Sequence, residues 1–404
     1  MLVGMAEKYD VIVVGGGPAG ISTAKAASAE GGKVLLLEMQ AQIGGATKSA
    51  VWVPDDLIGR GLEAAVVTRP REARLRTPHQ ELSLRYPKSA VVDRRQLDML
   101  LGAEAAESGA DIWLSAPAKG LLIKEGVVRG VHTEAGGWSE NVEGEVVVDA
   151  TGGSGNWSGL FLREVAKGEW KKELLAFSNE YLMANAKDEN SVELFFDSYS
   201  APGGHAWVYP LAKGFAMSGI CGLRIHSDAA LDEFLGRNEV DRLAKAVPVA
   251  ASRGQLPLEG PLGQTCADGI IAVGGAAGQI YPLSGQGTRY ALRCGEIAGR
   301  LAVDAVTEGD VSGERLSEYE RIWKAEFGAE FEAGSLVRNS LSVSQDQKMD
   351  AIILALKGNP GLQRAFIDLF EGFEVKRSVR AIIKGDEIGR ILGRETVDSL
   401  RTLR

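Results

Sequence analysis

The spacing of hydrophobic positions along this chain changes several times, and each change marks an element. Val11 to Val14 is an unbroken apolar run, the pattern of a strand buried on both faces, and it leads straight into Gly15-Gly16-Gly17-Pro18-Ala19-Gly20. A helix-compatible segment follows, and Lys33 to Leu37 reads as a second strand. Asp93 to Gly109 reads as a helix that Asp93 can cap. Asp111 to Leu114, Gly120 to Val131 and Glu145 to Asp149 resemble strands. From about residue 160 to 262 the pattern is less periodic, with strand-like pieces at Val192 to Phe196 and His205 to Tyr209. A β-rich insertion fits that stretch. Ile270 to Val273 returns to an all-apolar strand, followed by a helix in which Ala291, Gly295 and Ala298 offer small residues for close packing. The last 90 residues read as helical, with apolar stripes at Ile352, Leu354, Leu356 and at Leu362, Phe366, Leu369. These stripes are read as packing faces, although a membrane or partner surface would suit them too.

Together these elements predict an α/β (α+β) fold. A discontinuous Rossmann-type domain is expected in residues 1–55, 90–158 and 263–308. A β-rich substrate domain is expected in 56–89 and 159–262, and a C-terminal helical region in 309–404.

The first glycine run carries chemistry. Gly15 permits the tight turn, Gly17 lets the backbone approach a pyrophosphate, and Gly20 lets helix and strand pack closely. Pro18 and Ala19 open the helix, whose N-terminus offers free N–H groups to phosphate. Glu38 lies 18 residues past Gly20, at the end of the second strand. An acid there accepts hydrogen bonds from ribose hydroxyls. Gly44, Gly45 and Ala46 fall in a loop, Ala41 to Ala50, expected to pass over the cofactor. A second glycine-rich turn, Gly274 to Gly278 and Pro282 to Gly287, stands far from the first. Two such turns suggest one long cofactor held by both ends of a discontinuous domain.

Composition narrows the reading. The chain has 404 residues, 45% hydrophobic and 25% charged, with a formal net charge of −9. That balance disfavours a nucleic-acid partner, which needs a basic face. Arg69, Arg71, Arg74 and Arg76 form a basic cluster, read as a solvated face. Cys221, Cys266 and Cys294 form no Cys-x-x-Cys, so a reducing compartment and a packing role are expected. The four histidines show no metal-ligand spacing, and no metal site is expected. No apolar stretch approaches the ~18 residues of a spanning helix, and no signal pattern opens the chain.

The separated motifs resemble the geranylgeranyl reductase family, within the flavoproteins that share the p-hydroxybenzoate hydroxylase-type fold. The likeness spans residues 8 to 305. Glu38 with Ile43-Gly44 resembles the family segment after the second strand. Asp93-Arg94-Arg95-Gln96-Leu97-Asp98 is similar to its Asp/Glu-Arg-x-x-Phe-Asp motif, which makes Arg94 a candidate FAD contact. Val148-Asp149-Ala150-Thr151-Gly152 resembles the strand end beside the adenine half, implicating Thr151 and Gly152. Gly204 to Pro210 resembles the family's Tyr-x-Trp-x-Phe-Pro motif, which lines the substrate cavity. Gly274 to Gly278 and Pro282 to Gly287 resemble the segments around the flavin, implicating Gly275, Pro282, Gly285, Gln286 and Gly287.

Two departures stand out. The family aspartate that binds the ribityl chain is Gly275 here, which removes a charge-assisted hydrogen bond of about 1.5–3 kcal/mol. A family cysteine near the flavin aligns with Ser49. The motif's Tyr and Phe are His205 and Tyr209, which makes this wall more polar.

The resemblance implies FAD as cofactor and an activity: hydride from reduced flavin saturates isolated C=C bonds of a prenyl lipid. It implies His205, Trp207 and Tyr209 as catalytic residues, and the same three with Ser49 as substrate contacts. Alternation puts the three aromatic residues on one strand face, and Tyr209 or His205 is expected near the proton path. The electron donor is left open between a ferredoxin-like protein and a nicotinamide cofactor. The expected location is the cytoplasm, free or peripherally at the inner face of the cell membrane. Two alternatives stay open because fold does not fix chemistry: a flavin monooxygenase or dehydrogenase, and a flavin-binding protein without redox catalysis.

Overall fold

The computed structural model describes residues 8–45, 49–58, 62–86, 88–135, 138–153, 159–225, 229–237, 240–385 and 387–403. Of the candidate site residues, Ala46 lies outside them. The apolar run near the N-terminus becomes the strand Tyr9–Val14, at the middle of an eight-stranded sheet. It pairs in parallel with Val34–Leu37 on one side and with Trp138–Asp149 on the other. Asp111–Trp113 and Ile270–Ala272 extend the parallel core outward. Val11, Ile12 and Val13 are completely buried because helices cover one face and a β-hairpin layer the other.

The expected strand from Gly120 to Val131 is instead a hairpin, Ala118–Lys124 and Val127–Ala135. Glu125 and Gly126 turn it with φ of 52° and 85°. Positive φ at both central residues suits the tight turns that match strand twist. The strand expected from Glu145 begins at Trp138, since its first half pairs with that hairpin.

A seven-stranded sheet forms the second layer. Its order is Val247–Pro257, Leu175–Ala184, Phe215–Gly222, His205–Pro210, Ser191–Phe195, Glu72–Arg76 and Glu81–Arg85. Ala50–Pro54, Ser89–Asp93 and Val66–Thr68 make a separate three-stranded sheet. The mixed pattern of residues 51 to 90 therefore reflects a segment shared between two sheets. The basic cluster divides likewise. Arg69 is exposed, with Asp55 and Glu63 each at 2.6 Å. Arg74 pairs with Glu189, and Arg76 with the buried Glu193 at 3.3 Å, so the cluster is only partly a solvated face.

Helix Thr288–Glu308 crosses helix Pro18–Ala29 at close range. A Cβ at Gly295 would lie 2.3 Å from the Ala19 carbonyl oxygen, and one at Gly299 would lie 2.4 Å from that of Thr23. The crossing thus rests on Gly295 and Gly299, four residues apart, more than on Ala291 and Ala298. In the C-terminal region Leu354 is 53% exposed while Ile352 and Leu356 are buried. Residues two apart on a helix do not share a face, which corrects the first expected stripe. Leu362, Phe366 and Leu369 pack together as expected. All three cysteines are buried and free.

Candidate active site

The glycine turn after Tyr9–Val14 is built as its spacing demands. Gly15 has φ of 111°, and a Cβ at Gly20 would lie 1.9 Å from the Gly15 carbonyl oxygen. Neither position tolerates a side chain. Gly17 differs: nothing lies within 4 Å of its Cβ position, and its backbone is extended. Its missing side chain therefore leaves open space in front of the helix, where a phosphate can reach the uncapped N–H groups of Pro18–Ala29. Gly152, with φ of 80°, also faces open space. Glu38 accepts from the Gly16 N–H and the Gln40 N–H, each at 2.7 Å. Its carboxylate is thus held at the edge of this space, with lone pairs left for ribose hydroxyls. Gly44, φ 69°, sits against the first turn of Arg94–Glu107, and Gly45 folds back on Gln42.

The strand Trp138–Asp149 ends in an aspartate that the motif reading passed over. Asp149 is fully buried and accepts from the Thr151 N–H and hydroxyl and from the Phe161 N–H. The Thr151 hydroxyl in turn accepts from the Gly159 N–H at 2.7 Å. The Thr151 side chain and N–H are therefore committed to shaping the turn, and its backbone carbonyl is left to meet a cofactor.

The second glycine turn is clamped from the C-terminal helices. The Gly274 N–H donates to Gln279, whose amide donates to Tyr319 on helix Glu318–Leu341. The Gln286 amide donates to Glu371 at 2.8 Å and to the Trp52 carbonyl at 3.4 Å. The side-chain N–H groups of Gln286 are thus committed, which leaves its amide oxygen and its backbone to serve a cofactor. Gly285 has φ of 80°, and the turn closes through Tyr281 N–H to the Gln286 carbonyl. Helix Thr288–Glu308 begins at Gly287 without a side-chain cap, leaving its N–H groups open. Arg94 reaches this helix start through Thr288 at 3.4 Å and holds Asp98 at 3.3 Å. Its buried Nε has no partner among the described residues. A buried guanidinium N–H beside the uncapped start of helix Thr288–Glu308 fits an anionic or carbonyl-bearing cofactor such as FAD. At Gly275 a Cβ would lie 2.8 Å from the Gly153 nitrogen, so an aspartate is excluded here unless residues 152–153 move.

His205–Pro210 presents alternate residues to one side, as expected. Trp207 stacks on Tyr209 at 6.1 Å, and His205 lies 5.3 Å from Trp207 and 5.0 Å from Phe370. Ala206 and Val208 pack in a different cluster on the opposite face. Across the sheet Ser252 pairs with Glu180, Glu180 with Gly219, and Gly219 with Trp207. This register puts Glu180 on the face that carries Trp207. A Cβ at Gly219 would lie 2.3 Å from the indole, so only glycine lets Trp207 lie flat between. Glu180 accepts from Ser49 at 3.0 Å and from Ser252 at 3.1 Å. Ser49 is thereby tied to the sheet face, and its carbonyl accepts from the Arg94 N–H. A cavity of about 30 Å³ separates Gly204 and Phe196 from Leu283, Met349 and Phe370. His205, Trp207 and Tyr209 do not line it; Phe370, which packs on His205, shares it with Leu283 of the Pro282–Gly287 turn.

Burial sets the ionisation of this face. It pushes His205 down to about 4, so the imidazole is neutral near pH 7. Tyr209 keeps its phenolic proton, held well above the usual value by burial and by Glu371 and Glu180. Desolvation also raises Glu180, against the pull of Ser49, Ser252 and Arg94. Glu371, 1% exposed, is pushed up to about 8 by burial. Folding holds a proton on Glu371 that the unfolded chain releases near 4.5. Its stabilisation is complete below that value and declines as pH rises through about 8. At roughly 1.4 kcal/mol per unit, the loss is on the order of 5 kcal/mol at most. Melting curves should show this decline between pH 5 and 9, and Glu371→Gln, which can keep the Gln286 bond, should flatten it. An unchanged slope in that variant would show that Glu371 is ionised in the fold.

Glu180, Glu371, Asp149 and Gln279 were all missed by motif reading. For Glu180 one signal existed: a lone carboxylate within an otherwise apolar and small-polar strand.

A family model described as FAD dependent oxidoreductase matches residues 10–155. Digeranylgeranylglycerophospholipid reductase 2 of Methanothermobacter thermautotrophicus is 32% identical over 366 residues, covering 87% of this chain and 92% of that protein. The digeranylgeranylglycerophospholipid reductase of Methanocaldococcus jannaschii is 32% identical over 395 residues, covering 93% and 95%. Among solved structures, a geranylgeranyl bacteriochlorophyll reductase-like protein from Thermoplasma acidophilum superposes with a TM-score of 0.84 at 24% identity, covering 98% of this chain and all of that one. That likeness is one of fold. Identity at this level, sustained over nearly the whole length of both relatives, places this chain in the digeranylgeranylglycerophospholipid reductase family of FAD-dependent oxidoreductases.

Proposed function

We propose that the protein saturates C=C bonds in the prenyl chains of an isoprenoid glycerophospholipid. The observation that carries this reading is the aromatic face His205-Trp207-Tyr209, linked to the Pro282–Gly287 turn by Phe370, which packs on His205, and by Glu371, which holds Gln286 and acts on Tyr209. FAD, when bound and reduced, supplies the hydride. Gly17, Gly152, Glu38 and Arg94 hold its polar parts, and the Pro282–Gly287 turn meets its ring with backbone groups. The protein's task at the alkene is then to orient and to protonate. An isolated alkene has no carbonyl to polarise, so position decides the rate. Trp207, lying flat over Gly219, forms a rigid wall for the prenyl chain. Proton delivery to the second alkene carbon falls to Tyr209, which keeps its phenolic proton, or to Glu180, whose burial favours the protonated form. His205, neutral and flanked by Phe370, serves as a wall. That narrows the expected proton path by one residue. The seven-stranded sheet and the inserted segments serve as the substrate domain, and residues 309–404 close it from above.

The electron donor fits a ferredoxin-like protein or a nicotinamide cofactor. No helix among the described residues is long and apolar enough to cross a membrane, and the proposed location is the cytoplasm or its membrane face. The test is anaerobic. Purified protein is reduced with dithionite, mixed with a geranylgeranyl glycerophospholipid, and followed by flavin absorbance and lipid mass. Reoxidation with two hydrogens gained per double bond is the expected result. Flavin that is reduced but inert to the lipid would sink the substrate assignment and favour the monooxygenase or dehydrogenase alternative. Protein that takes up no flavin would favour a binding role. In the same assay His205→Ala should slow lipid reduction about tenfold or less, through lost packing, with flavin content unchanged. A loss beyond a thousandfold would restore His205 to the proton path.

A further inference from the structure

Helix Val375–Lys384 is the most sharply two-sided helix of the C-terminal region. Val375, Val379 and Ile382 are buried, while Lys376, Arg377, Arg380 and Lys384 are exposed. Between this helix, Glu318–Leu341 and Arg394–Thr402 lies a groove of about 320 Å³. Its floor is apolar, made by Ala329, Ala333, Val379, Ile383, Leu400 and Leu403. Its rim is cationic, made by Lys376, Arg380, Lys384 and Arg401, and no carboxylate among the described residues lines it. Among the described residues Lys376, Arg380 and Lys384 have no ion-pair partner, while Arg401 pairs with Asp398 at 3.0 Å. Residues 375–404 hold eight Lys and Arg against four Asp and Glu, in a chain of net charge −9. The positive charge is therefore concentrated at one end of an acidic protein.

A solvated helix face has no use for an open apolar floor. An acidic peptide or a nucleic acid would satisfy the rim and leave the floor uncovered. Hydrocarbon below and phosphate above is the chemistry of a phospholipid at a bilayer surface. The volume is at the lower end of the ~300–1,000 Å³ usual for ligand sites, enough for part of one chain. We propose that this groove docks an anionic phospholipid of a membrane surface, its phosphate on Lys376, Arg380 and Lys384 and one hydrocarbon chain entering over Ala329. None of the candidate active-site residues lines the groove, so the proposal stands apart from the reading of the alkene chemistry.

The probe is the full-length protein sedimented with vesicles of phosphatidylglycerol or of phosphatidylcholine. Binding is expected to the former and to be much weaker to the latter. The exposed triple variant K376Q/R380Q/K384Q should bind phosphatidylglycerol on the order of 100-fold less tightly, since each such cation contributes about fivefold near an anionic surface. Ala329→Phe, which fills the half-buried groove and keeps every cation, should also weaken binding. Equal binding to both vesicle types, or undiminished binding by the triple variant, would overturn the proposal. So would a variant Ala329→Phe that binds normally, because the floor would then be unused. Gel filtration of the same proteins adds an independent arm. A dimer that Ala329→Phe dissociates would assign the groove to a second copy of the chain instead.

Discussion

Gly20→Ala should yield protein that fails to fold or to hold flavin, whereas Gly17→Ala should fold normally and lose only the flavin. The two glycines stand three residues apart in one motif, yet their surroundings are opposite. A methyl at residue 20 would meet the Gly15 carbonyl oxygen at 1.9 Å. That atom is backbone, held in a turn whose φ is already 111°, so it has no rotamer through which to yield. Overpacking in a core typically costs ~1–3 kcal/mol, and a backbone-to-backbone clash exceeds the upper part of that range. A methyl at residue 17 meets nothing within 4 Å, and its extended backbone suits alanine. The methyl would instead occupy the approach of the pyrophosphate. Far-ultraviolet dichroism, melting temperature and the flavin absorbance of each purified variant separate the two. Gly17→Ala protein that is fully yellow would mean that the phosphates lie elsewhere.

The double variant Tyr209→Phe with Glu180→Gln should lower lipid reduction by ~10²–10⁴, the usual range for a lost proton donor. Reduction of the flavin by dithionite should be unaffected, since it needs no proton from this face. Each single variant should lose less, because the other group remains on the same side of the sheet. Glu180 carries a signature that a packing residue lacks. Burial favours its protonated form, so activity should fall as pH rises and the acid is lost, and glutamine should remove that limb of the profile. Ser252→Ala takes one hydrogen bond from Glu180 and should shift the limb upward, because the bonds from both serines favour the ionised form. Double-variant turnover within twofold of the parent would remove both residues from the chemistry.

The parts of this protein that were legible in its sequence are the local ones. Gly15 to Gly20 announces itself because a strand, a turn and a helix start are fixed within ten residues. Asp93 announces its helix in the same way, and its side chain does accept from the Gln96 N–H at 3.0 Å. Alternation sufficed to put His205, Trp207 and Tyr209 on one face. What stayed hidden was set by distant pairing. Glu180 acquires its place only through the register that brings Gly219 between it and Trp207. Glu371 matters through Gln286, 85 residues away along the chain. Gly299 looked like any helical glycine until helix Pro18–Ala29 was laid against it. The turn at Glu125-Gly126 was overlooked because the flanking apolar residues read as one continuous run.

Both ends of the second glycine turn are tied to the last hundred residues, one through Gln279 and Tyr319, the other through Gln286 and Glu371. Such ties make cofactor affinity and the local stability of the C-terminal helices a single thermodynamic quantity. Whatever tightens the flavin must, by reciprocity, protect those helices from opening, and whatever loosens them must weaken the flavin by the same factor. The helices tied to that turn are for that reason no appendage. A protein shorn of them should lose its colour.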